Sequence, residues 1–250
     1  MRVFLTLMRR EWMSFFLSPV AYVIFVLFLI LMGLSFSMLI GLLSEGSQSG
    51  SVMRQLLGES LFFWLAMLMA IPAITMRQFA EEKNIGTIES LMTAPLTDGQ
   101  VVLAKFCGGL GFFALLWLPT MAYAVLLAQV SPAGAPIDHT AMITSYLGIL
   151  LIGAFYLSIG LLASSLTRNQ AIAAVITFVV LCGFFFWGFV PYYARGATLQ
   201  EIGRYTSAVV HMMEFSRGVI DTRPIVFYLA GTAWTLFMTM KVLESRKWRA

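Results

Sequence analysis

The chain has 250 residues, of which 60% are hydrophobic and only 11% are charged, and its formal net charge is +4. A soluble globular protein of this length needs far more polar surface, so the composition excludes that class and indicates an integral membrane protein. The basic excess does not point to nucleic-acid binding, because lysine and arginine at the rims of membrane spans account for it.

The first sixteen residues predict a helix that lies at the membrane interface. Leu7 and Phe15 fall where they can face lipid, while Arg10 and the neighbouring basic residues reach for phospholipid headgroups. Pro19 then separates this stretch from the first apolar run, as expected for a chain that bends at the membrane surface. The alternative is a polar segment that simply precedes the first span and has no role of its own. The residues leave both interpretations equally open.

Six long apolar runs follow, and each is long enough to cross the roughly 30 Å hydrocarbon core as a helix. Backbone groups in lipid must bond within the segment, and the alternation typical of strands is absent, so we expect helices. We place the spans near 20–43, 60–77, 106–129, 141–165, 170–192 and 224–242. The predicted fold class is therefore an all-α integral membrane protein, with one domain over residues 1–250.

The basic residues predict which side of the membrane carries the termini. Six spans put both termini on one side, and the opposite side holds five of the 16 lysines and arginines, namely Arg54, Arg195, Arg204, Arg217 and Arg223. The positive-inside rule then makes both termini cytoplasmic. Most of the outer arginines fall in 193–223, so that segment is not a simple linker.

A charged stretch, RQFAEEKNIGTIESLMTAPLTDGQVVLAK, joins the second and third spans at 77–105. Gly86 interrupts a first helical piece, and Thr87 can cap a second one. Ile88, Leu91 and Met92 give that second piece an apolar face at helical spacing. The pattern predicts a short amphipathic helix at the cytoplasmic membrane surface. A solvated hairpin is the alternative, and the residues alone leave both open.

Several kinds of chemistry lack their motifs in this sequence. No glycine precedes any of the lysines in a GxxxxGK[ST] pattern, and neither HExxH nor GxSxG occurs. The chain is therefore predicted not to bind ATP in the P-loop manner and not to be an enzyme by itself. The 16 methionines suggest a Cu(I) site, because thioether sulfur is a soft ligand, but no cysteine or histidine accompanies them at ligand spacing. Packing is the favoured role, and no metal site is predicted.

Two stretches carry a resemblance to a known family. The first, RQFAEEKNIGTIESLMTAPLTDGQVVLAKF, looks like the pattern R-x-F-x-x-E-K-x-x-G-T-I-E-x-L-x-x-x-P, and the second, HMMEFSRGVIDTR, looks like a motif before the last span. Together with the spacing of the spans and the closing VLESRKWR, they resemble permease subunits of type-2 ABC exporters. The nearest groups are the gliding-motility and multicopper-enzyme-maturation permeases.

The resemblance implies a half-transporter in the inner membrane of a bacterial cell. Two such permeases, identical or related, would dock two separate ATPase subunits that carry the P-loops and bind ATP with Mg²⁺. No cofactor would bind this chain directly, and an outer-side accessory protein is left open as a further partner. The alternative function is a non-transporting membrane anchor or force-transmitting component of a larger ATPase-driven complex, such as a gliding-motility machinery.

The resemblance also implies functional residues. In the coupling segment, taken as 78–105, the docking residues carried over from the motif are Glu82, Gly86, Thr87, Ile88, Glu89, Leu91 and Met92. Arg10 is the expected partner of Glu82, because the interfacial helix should lie at the same depth.

The outer segment 193–223 resembles external re-entrant or surface helices that cap the exit. The residues carried over there are His211, Phe215, Arg217, Gly218 and Asp221. We further expect Met212 and Phe215 to lie on a face that enters lipid, and Glu214 to pair with Arg217 three residues on.

Overall fold

The computed structural model describes residues 2–44, 52–86, 97–130, 138–194 and 196–247. Within these ranges the chain is helical and contains no strand. Six of the described helical stretches are long and apolar enough to cross a membrane: Pro19–Ser44, Leu61–Ile85, Asp98–Tyr123, His139–Leu166, Gln170–Tyr193 and Thr222–Ser245. The prediction of an all-helical membrane protein with six spans is confirmed.

Shorter helices surround the spans, which are numbered first to sixth below. An N-terminal helix, Arg2–Leu17, ends just before the first span, Pro19–Ser44. The second span consists of a regular helix, Leu61–Thr75, and ends in a short helix, Ala80–Ile85. On the opposite side of the bundle, Val190–Tyr193, Ala197–Thr206 and Ala208–Phe215 precede the sixth-span helix, Thr222–Lys247.

The third span begins earlier than expected. Its helix runs Asp98–Trp117 rather than starting near 106, so part of the expected coupling segment belongs to this helix. The cause is a capping box: the Thr97 hydroxyl accepts from the backbone N–H of Gln100 at 3.3 Å, and the Gln100 side chain accepts from the N–H of Thr97 at 3.2 Å. The helix then continues as Leu118–Thr120 and Met121–Val130.

The fourth span, His139–Leu166, forms the centre of the bundle. Its most apolar stretch is 72% buried, against 28% for the corresponding stretches of the first, fifth and sixth spans. Small residues permit this position: a Cβ at Gly153 would overlap the Phe113 ring, and one at Gly160 would lie 2.8 Å from Cβ of Thr75. The hydroxyls of Ser158 and Thr235 lie 2.5 Å apart and join the fourth span to the sixth.

The N-terminal helix packs on the third span, so Leu7 and Phe15 contact protein where lipid was expected, while Trp12 of the same helix stays exposed. Leu7 is buried, and the Phe15 ring stacks on Phe112 with 5.0 Å between centroids. Gly108 allows the close approach, since a Cβ there would lie 3.1 Å from Cβ of Glu11. The expected break before Pro19 is present, because the N-terminal helix ends at Leu17.

The second outer helix, Ala208–Phe215, also faces the protein rather than lipid. Met212 and Phe215 are fully buried, and Phe215 lies against Gly148 of the fourth span. The expected entry of this face into lipid was therefore wrong. The expectation that Glu214 and Arg217 share one helical face was wrong, because the helix ends at Phe215 and Arg217 lies in the following turn, although the charge of Arg217 still acts on Glu214.

Candidate functional site

An ionic cluster with a buried centre and an exposed edge at Arg10 lies at the end of the bundle that carries the termini. The Lys105 ammonium is 2.7 Å from Oε1 of Glu82 and 3.2 Å from Oε1 of Glu11, and the Lys105 side chain is only 2% exposed. A guanidinium nitrogen of Arg10 lies 3.7 Å from Oε1 of Glu82 and 3.9 Å from Oε1 of Glu11. These four residues, called the ionic cluster below, carry two charges of each sign.

Three separate elements supply the ionic cluster. Arg10 and Glu11 come from the N-terminal helix, Glu82 from the short helix that ends the second span, and Lys105 from the third-span helix. The Phe79 ring lies 5.3 Å from the Lys105 ammonium and adds a cation–π contact. A charge removed from water this far is stable only when partners satisfy it, so the cluster fixes the relative positions of the three elements.

The short helix Ala80–Ile85 is tied to the fourth span. The Ser164 hydroxyl accepts the backbone N–H groups of Phe79 and Ala80 at 3.1 Å each, and it therefore caps a helix in another part of the chain. The ammonium of Lys83, a buried side chain, donates to the backbone carbonyl of Ser165. The helix that precedes residues 87–96 is thus bound both to the ionic cluster and to the end of the central span.

The expected coupling residues fall into two groups. Glu82 and Arg10 come together as described above, although Lys105 lies nearer to Glu82 than Arg10 does. Gly86 ends the short helix at φ 82°, in the left-handed region that a Cβ disfavours. The remaining members, Thr87, Ile88, Glu89, Leu91 and Met92, lie outside the described residues.

Sequence reasoning missed Glu11 and Lys105. Each carried a signal: Glu11 is an isolated acidic residue in an otherwise basic N-terminal stretch, and Lys105 directly precedes a long apolar run. Opposite charges at the rims of two apolar elements favour a pair at the same membrane depth. Nothing in the local pattern says that these two residues, 94 positions apart, are partners.

At the opposite end of the bundle, most of the expected outer residues pack against the membrane-spanning helices. Nδ1 of the buried His211 lies 2.9 Å from the hydroxyl of Tyr228 in the sixth span. The carbonyl of Phe215 accepts from the Thr144 hydroxyl at 2.5 Å. Gly218 adopts φ 82° beside Ala141 at the start of the fourth span.

The other two outer residues lie nearer to water. Asp221 accepts from the backbone N–H of Arg223 at 3.0 Å, and Arg217 is exposed. The structure therefore brings His211, Phe215 and Gly218 against the fourth and sixth spans and leaves Arg217 outside this contact.

Burial shifts the protonation of two outer residues in opposite senses. Desolvation lowers the pKa of His211 from 6.5 to about 4, although Asp221 pulls it upward. Desolvation also raises the pKa of Glu214, and the negative charge of Asp221 adds to this rise, against the weaker effects of Arg204 and Arg217. At neutral pH His211 is uncharged, because burial disfavours the imidazolium form.

We expect mild acid to destabilise the outer helices through His211. The unfolded chain binds a proton near pH 6.5 while the folded chain resists it down to about pH 4, so stability falls with pH across that window. The loss from pH 7 to pH 5 should be about 2 kcal/mol, measured as thermal unfolding in lipid nanodiscs.

Two variants isolate this effect. His211→Gln, which cannot titrate, should remove most of the acid sensitivity. Glu214→Gln should steepen it, because a raised carboxyl pKa lets the folded state gain protons as the pH falls and offsets part of the loss. An unchanged acid sensitivity in His211→Gln would contradict the assignment.

Comparison with protein families agrees with this architecture. Residues 5–244 match the family model described as ABC-2 family transporter protein, which covers nearly the whole chain. A search of curated proteins finds no match. Membership implies partnership with ABC ATPase subunits, which supply the ATP-hydrolysing part of such transporters. With six apolar helices and this match, the chain belongs to the ABC-2 transporter family and is a multi-pass membrane permease component of an ABC transporter, not itself an enzyme.

Proposed function

We propose that the chain couples ATP hydrolysis on two separate ATPase subunits to export across the bacterial inner membrane, as one of two identical or related permeases. The observation that carries this proposal is the fixation of the short helix Ala80–Ile85, through the ionic cluster and Ser164, to several spans at once. A force applied to residues that follow this helix would reach the membrane bundle without being absorbed by a loose loop. ATP and Mg²⁺ would be bound by the ATPases alone.

Both termini are proposed to be cytoplasmic, which turns the ionic cluster toward the ATPases. The basic-residue distribution supports this orientation, and the whole chain then forms one transmembrane domain with the helices of 193–223 outside. The motif at 77–95 favours the gliding-motility and multicopper-enzyme-maturation permeases as the nearest groups.

Docking is tested on residues of the family motif. Leu91→Asp should reduce copurification of the ATPase subunit by about tenfold or more, because it would place a charge in an apolar contact. Glu89→Ala, on a side chain proposed to face water, should be milder. Glu82→Ala should weaken ATPase stimulation, and Arg168→Gln, in an exposed turn at the same end of the bundle, is the matched control.

The measurements are pull-down of the ATPase and vanadate-sensitive ATP turnover of the complex in liposomes. Normal copurification and turnover in both Leu91→Asp and Glu82→Ala would contradict the coupling role. Nucleotide-driven conformational change with no substrate movement for any tested cargo would instead favour the force-transmitting alternative.

A further inference from the structure

A cavity of about 470 Å³ opens beside the ionic cluster, between the N-terminal helix and the first and second spans. We call it the interfacial cleft. One side is polar and is formed by the ionic cluster with Arg77, Gln78 and Glu81. The other side is apolar and includes Ala21 and Ile24 of the first span and Ala73 and Ile74 of the second. Such a site, charged at one end and apolar at the other, matches an amphiphile better than a soluble ion.

Arg77 is the cation of this cleft that the ionic cluster does not neutralise. One terminal nitrogen donates to the Ser18 hydroxyl at 2.7 Å, while Nε is buried without a hydrogen-bond partner. Among the described residues, no carboxylate forms an ion pair with Arg77. The two carboxylates of the neighbouring ionic cluster pair with Lys105 and Arg10 instead. A half-buried guanidinium in this state attracts an anion that can accept from its free N–H groups.

The same cleft offers acceptors close to the arginine in sequence. Gln78, only 7% exposed, has a buried Oε1 with no hydrogen-bond partner. Glu81 also lines the cleft and forms no ion pair among the described residues. Leaving a buried acceptor unsatisfied is costly, so the position suits a ligand that brings an N–H donor together with its anionic group.

The location identifies the source of such a ligand. Arg77 follows the second-span helix and contacts Ser18 at the start of the first span, so it lies where headgroups meet the hydrocarbon region. A basic residue in a pocket between spans at this depth can bind the phosphate of a lipid headgroup, and the carboxylates in the lining of this cleft suit a headgroup that also carries a cation. The apolar side of the cleft, which ends at Ile24 of the first span and Ala73 of the second, provides a surface for the first part of an acyl chain.

We propose that the interfacial cleft binds a phospholipid whose headgroup carries a primary amine, as phosphatidylethanolamine does. The phosphate pairs with Arg77, the amine donates to Gln78 and Glu81, and one acyl chain follows Ala73 and Ile24. Binding at this point places the lipid against the ionic cluster and the N-terminal helix. The proposal does not depend on ATP coupling or on the transported substrate.

The test is native mass spectrometry of the full chain titrated with phosphatidylethanolamine, phosphatidylcholine and soluble glycerophosphoethanolamine. We expect phosphatidylethanolamine to bind about tenfold or more tightly than phosphatidylcholine, whose quaternary amine has no N–H to donate. The soluble headgroup should bind far more weakly than the lipid, because it lacks acyl chains. Equal binding of the two lipids, or full affinity for the soluble headgroup, would overturn the proposal.

Substitutions in the cleft test whether the lipid binds there. Arg77→Gln should lower the affinity for phosphatidylethanolamine about tenfold or more, while Arg168→Gln should leave it unchanged. Gln78→Leu, which leaves Arg77 in place, should reduce the preference for ethanolamine over choline but retain phospholipid binding. This second variant decides the question if Arg77→Gln fails to fold. Wild-type affinity and headgroup preference in a folded Arg77→Gln or Gln78→Leu protein would contradict the site.

Discussion

Replacing Lys105 with methionine should destabilise the protein by about 3–5 kcal/mol, the usual cost of breaking a buried ion pair on one side. The substitution removes the cation that lies within 3.2 Å of both Glu11 and Glu82 and leaves two carboxylates close together in a poorly hydrated site. Thermal and denaturant unfolding in nanodiscs would measure the loss, and ATPase stimulation should fall with it.

Lys241→Met is the matched control for Lys105→Met. Lys241 lies 2.7 Å from Glu244, a distance equal to that between Lys105 and Glu82, but the side chains of both Lys241 and Glu244 are about half exposed. An exposed pair of this kind contributes about 0–1 kcal/mol, so the control should be nearly neutral. Combining Lys105→Met with Glu11→Gln and Glu82→Gln should recover much of the lost stability. Equal effects of the two lysine variants would show that burial of the cluster does not govern its energy.

Gly160→Val should cost about 3 kcal/mol or more, because the site has no room for a branched side chain. A Cβ at Gly160 would lie 2.8 Å from both Cβ and Cγ2 of Thr75, whose hydroxyl already donates to the carbonyl of Ile71 at 2.9 Å. The second and fourth spans would have to separate, which disturbs the centre of the bundle. The measurement is the midpoint of thermal unfolding together with the yield of monodisperse protein.

Gly183→Val provides the matched control for Gly160→Val. Gly183 lies in the fifth-span helix, and a Cβ there would meet nothing within 4 Å. Both variants change helix propensity alike, so their difference reports the contact with Thr75. If Gly183→Val were as destabilising as Gly160→Val, backbone preference rather than helix packing would be the cause.

The fold class was readable from the sequence because the bilayer imposes a simple rule on long apolar runs. A run without charges must become a helix, and its length then fixes the number of spans. Small residues of the fourth span, including Gly153 and Gly160, allow neighbouring helices of the same chain to approach closely.

What the sequence could not provide was the identity of partners between helices. Arg10 was expected beside Glu82, yet the nearer Lys105 was missed because pairing across spans depends on how helices rotate and dock. Apolar faces posed the same difficulty: Phe15 and Phe215 were expected in lipid but pack on Phe112 and Gly148. Hydrophobic periodicity shows that a face is apolar but cannot tell whether protein or lipid will cover it.

The bond from Ser164 to the short helix Ala80–Ile85 has a mechanical consequence. Ser164 lies near one end of the fourth-span helix, and Thr144 near its other end contacts Phe215, so a displacement of the short helix acts on a helix that reaches across the bundle. The fourth-span helix also contacts the second, third, fifth and sixth spans. We therefore expect any displacement of the short helix to involve these neighbouring spans and the outer helices as well, and not the fourth span alone.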